Sequence, residues 1–342
     1  MSEPAGALPY HAAVRWLKRL LVAFLFLGFA GLAVVAASSL LALDWDRAHT
    51  ARTASLPLGV DGETDGLVRI EANGMTFRAR VAGMANAGPG LILLHGFPET
   101  SAMWLPLIDA AVAAGHRVVA FDQRGYSPGA RPGDVADYET LDLVGDVVAM
   151  ADAVGFERFH LVGHDWGCIV GWGVAIAHPD RVIHWAGLSI PHPGALLADL
   201  REGLPSYIKV FTAPFVPEAL LSFNGMANLR GSYPNATPEQ RDEYLAVFSE
   251  PGALTGALNW YRAITSSLEG AEAVAGPVTV PTLFVYGERE GWVTDEALAR
   301  QRKLVTGPYA ELEVDAAHFV MQQQPEEVVA AVIEHLGGAE LL

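Results

Sequence analysis

The chain has 342 residues, 51% of them hydrophobic and 18% charged, which is enough to bury a substantial core in one or two domains. Acidic residues outnumber basic ones 39 to 22, a formal charge of −17, and no Lys/Arg-rich run appears outside the N-terminal part, so a nucleic-acid-binding surface is excluded. The one cysteine, Cys168, excludes an intramolecular disulfide framework and a Cys-rich metal site, and the histidines lack H-E-x-x-H or similar ligand spacing, so neither metal nor other cofactor is expected.

Residues 1–19 form a tail, and Leu20 to Leu43 then runs without a charge. That is about the 20 apolar residues a helix needs to cross a bilayer. Arg15, Lys18 and Arg19 precede the run, and Asp44 and Asp46 follow it, with Arg47 and Arg52 close behind. The basic flank favours an N-in orientation with the main domain on the non-cytoplasmic side. Small residues around Ala36–Ser39 could be cut, but the run exceeds the roughly 7–15 residues of a signal-peptide core. The expectation is an uncleaved single-pass transmembrane helix over 20–43, with lipid as its partner. Residues 44–66 read as a polar linker that spaces the folded part from the lipid.

Beyond it, Val68–Glu71 and Met75–Val81 alternate about Asn73-Gly74, the pattern of an opening β-hairpin. Leu91–Leu94 and Arg117–Phe121 read as buried strands, and Leu141–Val154 has helical spacing ending at Gly155. Phe159–Val162 and Arg181–Leu188 are further strands. Apolar strands separated by helices predict an α/β fold: a mostly parallel sheet with helices on both faces. The first part of this core spans 67–190. Helical, aromatic and Gly/Pro-punctuated sequence at 191–277 breaks the pattern and reads as a helical cap insertion. Strand character returns at Pro281–Tyr286 and Glu311–Val314, and a last helix runs from Pro325 to Leu336, so 278–342 completes the core.

Gly163-His164-Asp165-Trp166-Gly167 lies between the strand at 159–162 and the helical stretch after it. This is the strand–turn–helix setting of a nucleophile elbow, with aspartate where G-x-S-x-G has serine. A carboxylate attacks saturated carbon and leaves an alkyl ester on the enzyme, so the substitution points from acyl transfer to alkyl transfer followed by hydrolysis. A helix-capping aspartate in an ordinary turn is the simpler account of Asp165 taken alone.

Four separated motifs weigh against that account. They are His95-Gly96-Phe97-Pro98-Glu99, the elbow itself, Asn259-Trp260-Tyr261-Arg262, and Asp315-Ala316-Ala317-His318-Phe319 followed by Gln324-Pro325-Glu326-Glu327-Val328. With them, residues 66–342 resemble the α/β-hydrolase superfamily and, within it, the epoxide hydrolases with an aspartate nucleophile and cap tyrosines. The resemblance implies the α/β-hydrolase fold and hydrolysis of an epoxide, here expected to be lipophilic, to a vicinal diol. It implies Asp165 as nucleophile, His318 as general base, and Glu290 as the acid that orients His318, at a place where the family usually has Asp. Asp295 and Glu288 are alternatives for that acid.

Tyr261 and Tyr207 would stabilise the leaving oxygen, with Tyr244 as an alternative to Tyr207, whose following residue, Ile208, departs from the family's Gln. Phe97 and Trp166 would supply oxyanion N–H groups, and Trp166, Phe97, Trp260 and Phe319 would contact substrate. The Phe97–Pro98 bond is of the X–Pro type that tolerates cis. A haloalkane-type dehalogenase with the same Asp–His machinery, and a non-catalytic ligand-binding member of the fold, are the competing readings. Phe97 stands where many haloalkane dehalogenases have Asn, and the intact nucleophile and histidine weigh against a purely binding role.

Overall fold

The computed structural model describes residues 10–41, 45–60, 65–264 and 274–338. Its centre is one eight-stranded sheet of β1 (Gly66–Ala72), β2 (Met75–Ala82), β3 (Gly90–Leu94), β4 (Arg117–Phe121), β5 (Phe159–His164), β6 (Val182–Leu188), β7 (Thr282–Gly287) and β8 (Tyr309–Val314). The spatial order is β1-β2-β4-β3-β5-β6-β7-β8. β1–β2 and β2–β4 pair antiparallel, and every other pairing is parallel. The opening hairpin turns at Asn73 and Gly74, both at positive φ, as a two-residue primed turn requires.

β3 and β5 are buried along their whole length. Strands covered on both faces cannot alternate polar and apolar residues, and these read Gly-Leu-Ile-Leu-Leu and Phe-His-Leu-Val-Gly-His. The connection β3–α3–β4, through α3 (Leu105–Ala113), moves one way along the sheet, and β4–α4–β5, through α4 (Thr140–Ala153), moves the other way. Right-handed crossovers of opposite direction put α3 and α4 on opposite faces. α5 (Trp166–Ala177) packs with α4, and the last helix packs with α3. The reversal leaves a crevice beyond the carboxyl ends of β3 and β5, the usual ligand position in an open α/β sheet.

Between β6 and β7 the described chain contains no strand. It forms α6 (Pro193–Glu202), α7 (Ser206–Phe211), α8 (Val216–Gly231), α9 (Pro238–Phe248) and α10 (Ala253–Arg262). α8 is broken at Phe223–Met226, where three successive residues from Asn224 have positive φ. After β7 come α11 (Asp295–Leu304), α12 (Val320–Gln323) and α13 (Pro325–Leu336).

The described N-terminal residues begin in α1, Tyr10–Leu41, which takes in about half of the stretch expected to be a tail. Among the described residues no helix is long and apolar enough to cross a membrane. The side chains of α1 that are described are Trp16 and those from Lys18 to Ala33, and positions 42 and 43 of the expected 20–43 span lie outside the described residues. Within the stretch expected to be a linker there is a helix, α2 (Arg47–Ala54), capped by Asp46, whose side chain accepts from the His49 N–H at 2.7 Å. His49 Nδ1 lies 2.6 Å from Glu250 Oε1, and the Asp46 N–H donates to the Ser249 carbonyl at 3.0 Å, so this segment is fastened to the end of α9.

Candidate active site

Asp165 stands between β5 and α5 with φ 53° and ψ −120°. A non-glycine residue in that region carries strain of about 1–3 kcal/mol, held here by the packed strand before it and the helix after it. The crowding explains the glycines. A Cβ on Gly167 would lie 2.2 Å from the Leu94 carbonyl oxygen, and one on Gly96 would lie 2.3 Å from Asp165 Oδ1. The loop after β3 therefore comes against the nucleophile turn only because both positions lack side chains.

That approach brings the Phe97 N–H to Asp165 Oδ1, to which it donates at 2.7 Å. The Phe97–Pro98 peptide is cis. His95, buried below this loop, donates from Nδ1 to the Gly96 carbonyl at 3.0 Å, and its Nε2 accepts from the Gln123 N–H at 3.1 Å. Those bonds fix the loop after β3 to the loop after β4, which accounts for the histidine of this motif without a chemical step.

On its other side Asp165 meets the histidine loop that follows β8. His318 Nε2 is 3.3 Å from Asp165 Oδ2, and His318 Nδ1 is 2.7 Å from Glu290 Oε2. Glu290 is itself buried, at the turn after β7. The alternatives lie elsewhere: Glu288 is exposed and pairs with Arg289, and Asp295 is exposed at the start of α11. The His318 backbone is pinned as well, because its carbonyl accepts from Ser189 Oγ at 2.6 Å and from His164 Nε2 at 2.9 Å. His164 Nδ1 faces Glu99 Oε2 at 3.2 Å without the alignment of a hydrogen bond. His164 had no role in the sequence reading, since its partners come from loops more than 60 residues away in either direction.

Burial opposes a charge on His318, but the hydrogen bonds and charges of Asp165 and Glu290 outweigh it and raise its pKa to about 10. Burial likewise pushes the Asp165 carboxyl upward. The His318 hydrogen bond and charge, with smaller help from His164 and the Trp166 N–H, leave it below the usual carboxylate range. The resting pair is thus carboxylate and imidazolium.

One cavity of about 100 Å³ opens onto Asp165. Trp166, Tyr207 and Tyr261 line it, together with Trp292 and an aliphatic wall that includes Ile169, Leu196, Leu200 and Ile264. The structure therefore brings the elbow and both expected cap tyrosines to one space. Tyr261 is buried, with its ring 5.5 Å from that of Phe97 and 5.1 Å from that of Trp166. Tyr207 is half-exposed at the start of α7. Burial, and after it the nearby Asp165 charge, raises both phenols above the ordinary tyrosine range, so both stay protonated.

Three residues expected to touch substrate do not line this cavity. Trp260 is one layer behind: its indole N–H donates to the Arg124 carbonyl at 2.8 Å while its ring supports Trp166. Tyr261, next to it on α10, takes the cavity side, because adjacent helical positions face about 100° apart. Phe97 contributes its N–H, and its ring packs on Phe211 and Phe248 under the cap. Phe319 packs against His164 and His318. Tyr244 is buried against Tyr233, away from the cavity. The cavity residues missed in the sequence, Trp292 above all, lay two positions past Glu290, where proximity to the acid was the available signal. Among the described residues no group of His, Cys, Asp and Glu is placed to hold a metal ion.

Residues 89–325 match the family described as the α/β-hydrolase fold. The chain is 32% identical over 315 residues to "Epoxide hydrolase A" of Mycobacterium tuberculosis, covering 80% of this chain and 97% of that one. It is 32% identical over 281 residues to "Epoxide hydrolase 4" of Homo sapiens, covering 76% of this chain and 75% of that one. Among solved structures, epoxide hydrolase A from Mycobacterium thermoresistibile superposes with a TM-score of 0.69 at 33% identity, covering 82% of this chain and 100% of that one.

Proposed function

The chain belongs to the α/β-hydrolase fold family and, within it, to the epoxide hydrolases, and from that membership we propose that it hydrolyses a lipophilic epoxide to a vicinal diol through an ester on Asp165. The observation that carries this reading is the approach of Asp165 to the His318–Glu290 pair on one side while Asp165 opens onto a cavity lined by Tyr207 and Tyr261 on the other. The aliphatic wall of that cavity supports an apolar substrate.

In the first half-reaction Asp165, ionised and oriented by the Phe97 N–H, attacks an oxirane carbon. The C–O bond breaks, and Tyr261 and Tyr207 donate hydrogen bonds and a proton to the departing oxygen. Ester formation removes the charge of Asp165, which was a principal support of the imidazolium. His318 then releases its proton, which restores the phenol. Chemistry thus turns the resting imidazolium into a base only after there is an ester to hydrolyse. In the second half-reaction neutral His318, held through Nδ1 by Glu290, takes a proton from water as the water attacks the Asp165 carbonyl carbon. The oxyanion rests on the Phe97 and Trp166 N–H groups, and loss of one such donor costs about 100- to 1000-fold in rate. Collapse breaks the bond to the diol oxygen, which takes its proton from His318, and the proton left on the Asp165 carboxyl then passes to His318 and restores the resting pair. No cofactor enters.

The test is one turnover in heavy-oxygen water with enzyme in excess over styrene oxide. The ester route places label in the Asp165 carboxylate and none in the first diol. Label passing straight into the diol, or undiminished activity of Asp165→Ala, defeats it.

We further propose that α1 anchors the chain as a single-pass membrane helix with the catalytic part on the non-cytoplasmic side. The uncharged Leu20–Leu43 run and the basic residues ahead of it support that orientation.

A further inference from the structure

Two apolar surfaces of the chain adjoin each other. On α1, Leu21, Phe24, Leu25, Phe26 and Leu27 are all exposed, and at 100° per residue consecutive positions of this kind cover every side of the helix. A helix apolar all round has no polar face to turn toward water, so lipid suits it and a one-sided protein groove does not. α1 packs against α8. The cap in turn exposes Tyr207 and Val210 on α7, Phe215 before α8, and Val216, Leu220 and Phe223 on α8. Phe215 is 72% exposed, Leu220 49% and Phe223 48%.

The charges around this face fit the same partner. Glu218, the acid in the first turn of α8, turns inward and pairs with Arg262 at 2.7 Å. Lys209 is exposed on α7, and a lysine beside an apolar face suits contact with lipid phosphate. Tyr207 belongs to both the exposed face and the cavity lining.

We propose that the α7–α8 face is a membrane-docking surface, seated at the boundary of headgroups and acyl chains beside α1, so that a bilayer-dissolved epoxide enters past Tyr207 without crossing water. The proposal rests on the anchoring of α1 and deepens the reading of the substrate as lipophilic.

Cys168, the one cysteine, is buried, so a bimane maleimide reaches only an introduced thiol. The full chain carrying Phe223→Cys, and separately Glu157→Cys at the opposite end of the sheet, is labelled and reconstituted into phosphatidylcholine vesicles with plain or brominated acyl chains. The expected result is several-fold quenching by brominated lipid at position 223 and none at 157. Co-flotation with vesicles and an unquenched label at 223 overturns the surface while leaving the anchor standing. Failure to co-float overturns both. Shielding of the 223 label that depends on protein concentration and not on lipid assigns the face to a second copy and also overturns the proposal.

As a second measurement, Phe215→Ser/Leu220→Ser/Phe223→Ser is expected to raise KM about tenfold for a long-chain epoxide carried in vesicles, leaving its kcat and the turnover of styrene oxide unchanged. An unchanged KM for the vesicle-borne epoxide counts against docking. Loss of styrene oxide turnover in the unmodified chain is a failure of the catalytic reading alone.

Discussion

β5 carries a histidine near each of its ends, and the surroundings of those ends differ. At the first end, His160 stacks on His184 with ring centroids 5.1 Å apart, His116 meets His160 edge-on at 5.1 Å, and His335 meets His184 at the same distance. Burial, followed by the neighbouring imidazoles, lowers His160 to about 3, and burial and His184 lower His335 to about 4. The 3.2 Å contact between His160 Nδ1 and His184 Nδ1 requires one donor and one acceptor. At the last end, the carboxylates of Asp165 and Glu290 hold His318 near 10. Both neighbourhoods are mostly buried, with the His318 side chain 25% exposed, so burial alone does not set them apart. The contacts to ring nitrogen do: two carboxylates at one end, and imidazole and carbonyl groups at the other. Only the carboxylate contacts, which open onto the cavity, place an imidazole to exchange a proton during a reaction.

Removing each imidazole in turn is the sharpest way to break the comparison. His318→Gln is expected to lower turnover by up to about 10⁴-fold. It leaves ester formation possible, so intact-mass spectrometry after mixing with styrene oxide should show the chain carrying one substrate equivalent. His160→Gln should leave kcat/KM within about twofold, because the stack lies at the far end of the strand from Asp165. Equal losses in the two variants would abolish the distinction.

A smaller effect separates the two phenols. Tyr261 is buried, and Tyr207 is half-exposed. Tyr261→Phe is expected to slow ring opening roughly 100-fold, and Tyr207→Phe roughly tenfold. Pre-steady-state tryptophan fluorescence follows that step. A Tyr207→Phe loss as large as that of Tyr261→Phe would mean that exposure does not set the share each donor carries.

The parts of this site that were legible in the sequence are those in which a few adjacent residues carry a geometric demand. Gly163–Gly167 between strand and helix forces an elbow, and the Asn73-Gly74 turn fixes the first hairpin. The boundaries of α4 and α13 followed from spacing, from Gly155 and from Pro325. What stayed hidden depends on contacts between distant segments. The histidine stack joins positions 116, 160, 184 and 335, which share no local pattern. α2 looked like linker because its own residues are polar, and its fastening comes from Ser249 and Glu250, about 200 residues away. Trp260 and Tyr261 are neighbours in sequence, so which one faces the cavity waits on the rotation of α10. The resemblance already favours Glu290 as the acid, and the position of the His318 ring is what sets it apart from Glu288 and Asp295.

The gentlest test of the comparison is stability against pH, where the two neighbourhoods pull in opposite directions. A histidine held below its unfolded value leaves stability intact above about pH 6.5. As pH falls, the unfolded chain binds a proton that the folded chain refuses, and stability declines toward the folded value of about 3 for His160 and 4 for His335. A histidine held above its unfolded value does the reverse. The His318 contribution is complete below pH 6.5 and is lost as pH rises toward about 10. Each fully linked group gives a slope of about 1.4 kcal/mol per pH unit, and stacked imidazoles sum to less than separate ones because they titrate together. Thermal midpoints of the detergent-solubilised chain should therefore peak near pH 6.5. His160→Gln should flatten the acid limb alone, and Glu290→Gln, which removes one support of the imidazolium, should flatten the alkaline limb alone. If either substitution flattens both limbs, the two ends of β5 are not independent, and the contrast in ring contacts does not explain their pKa values.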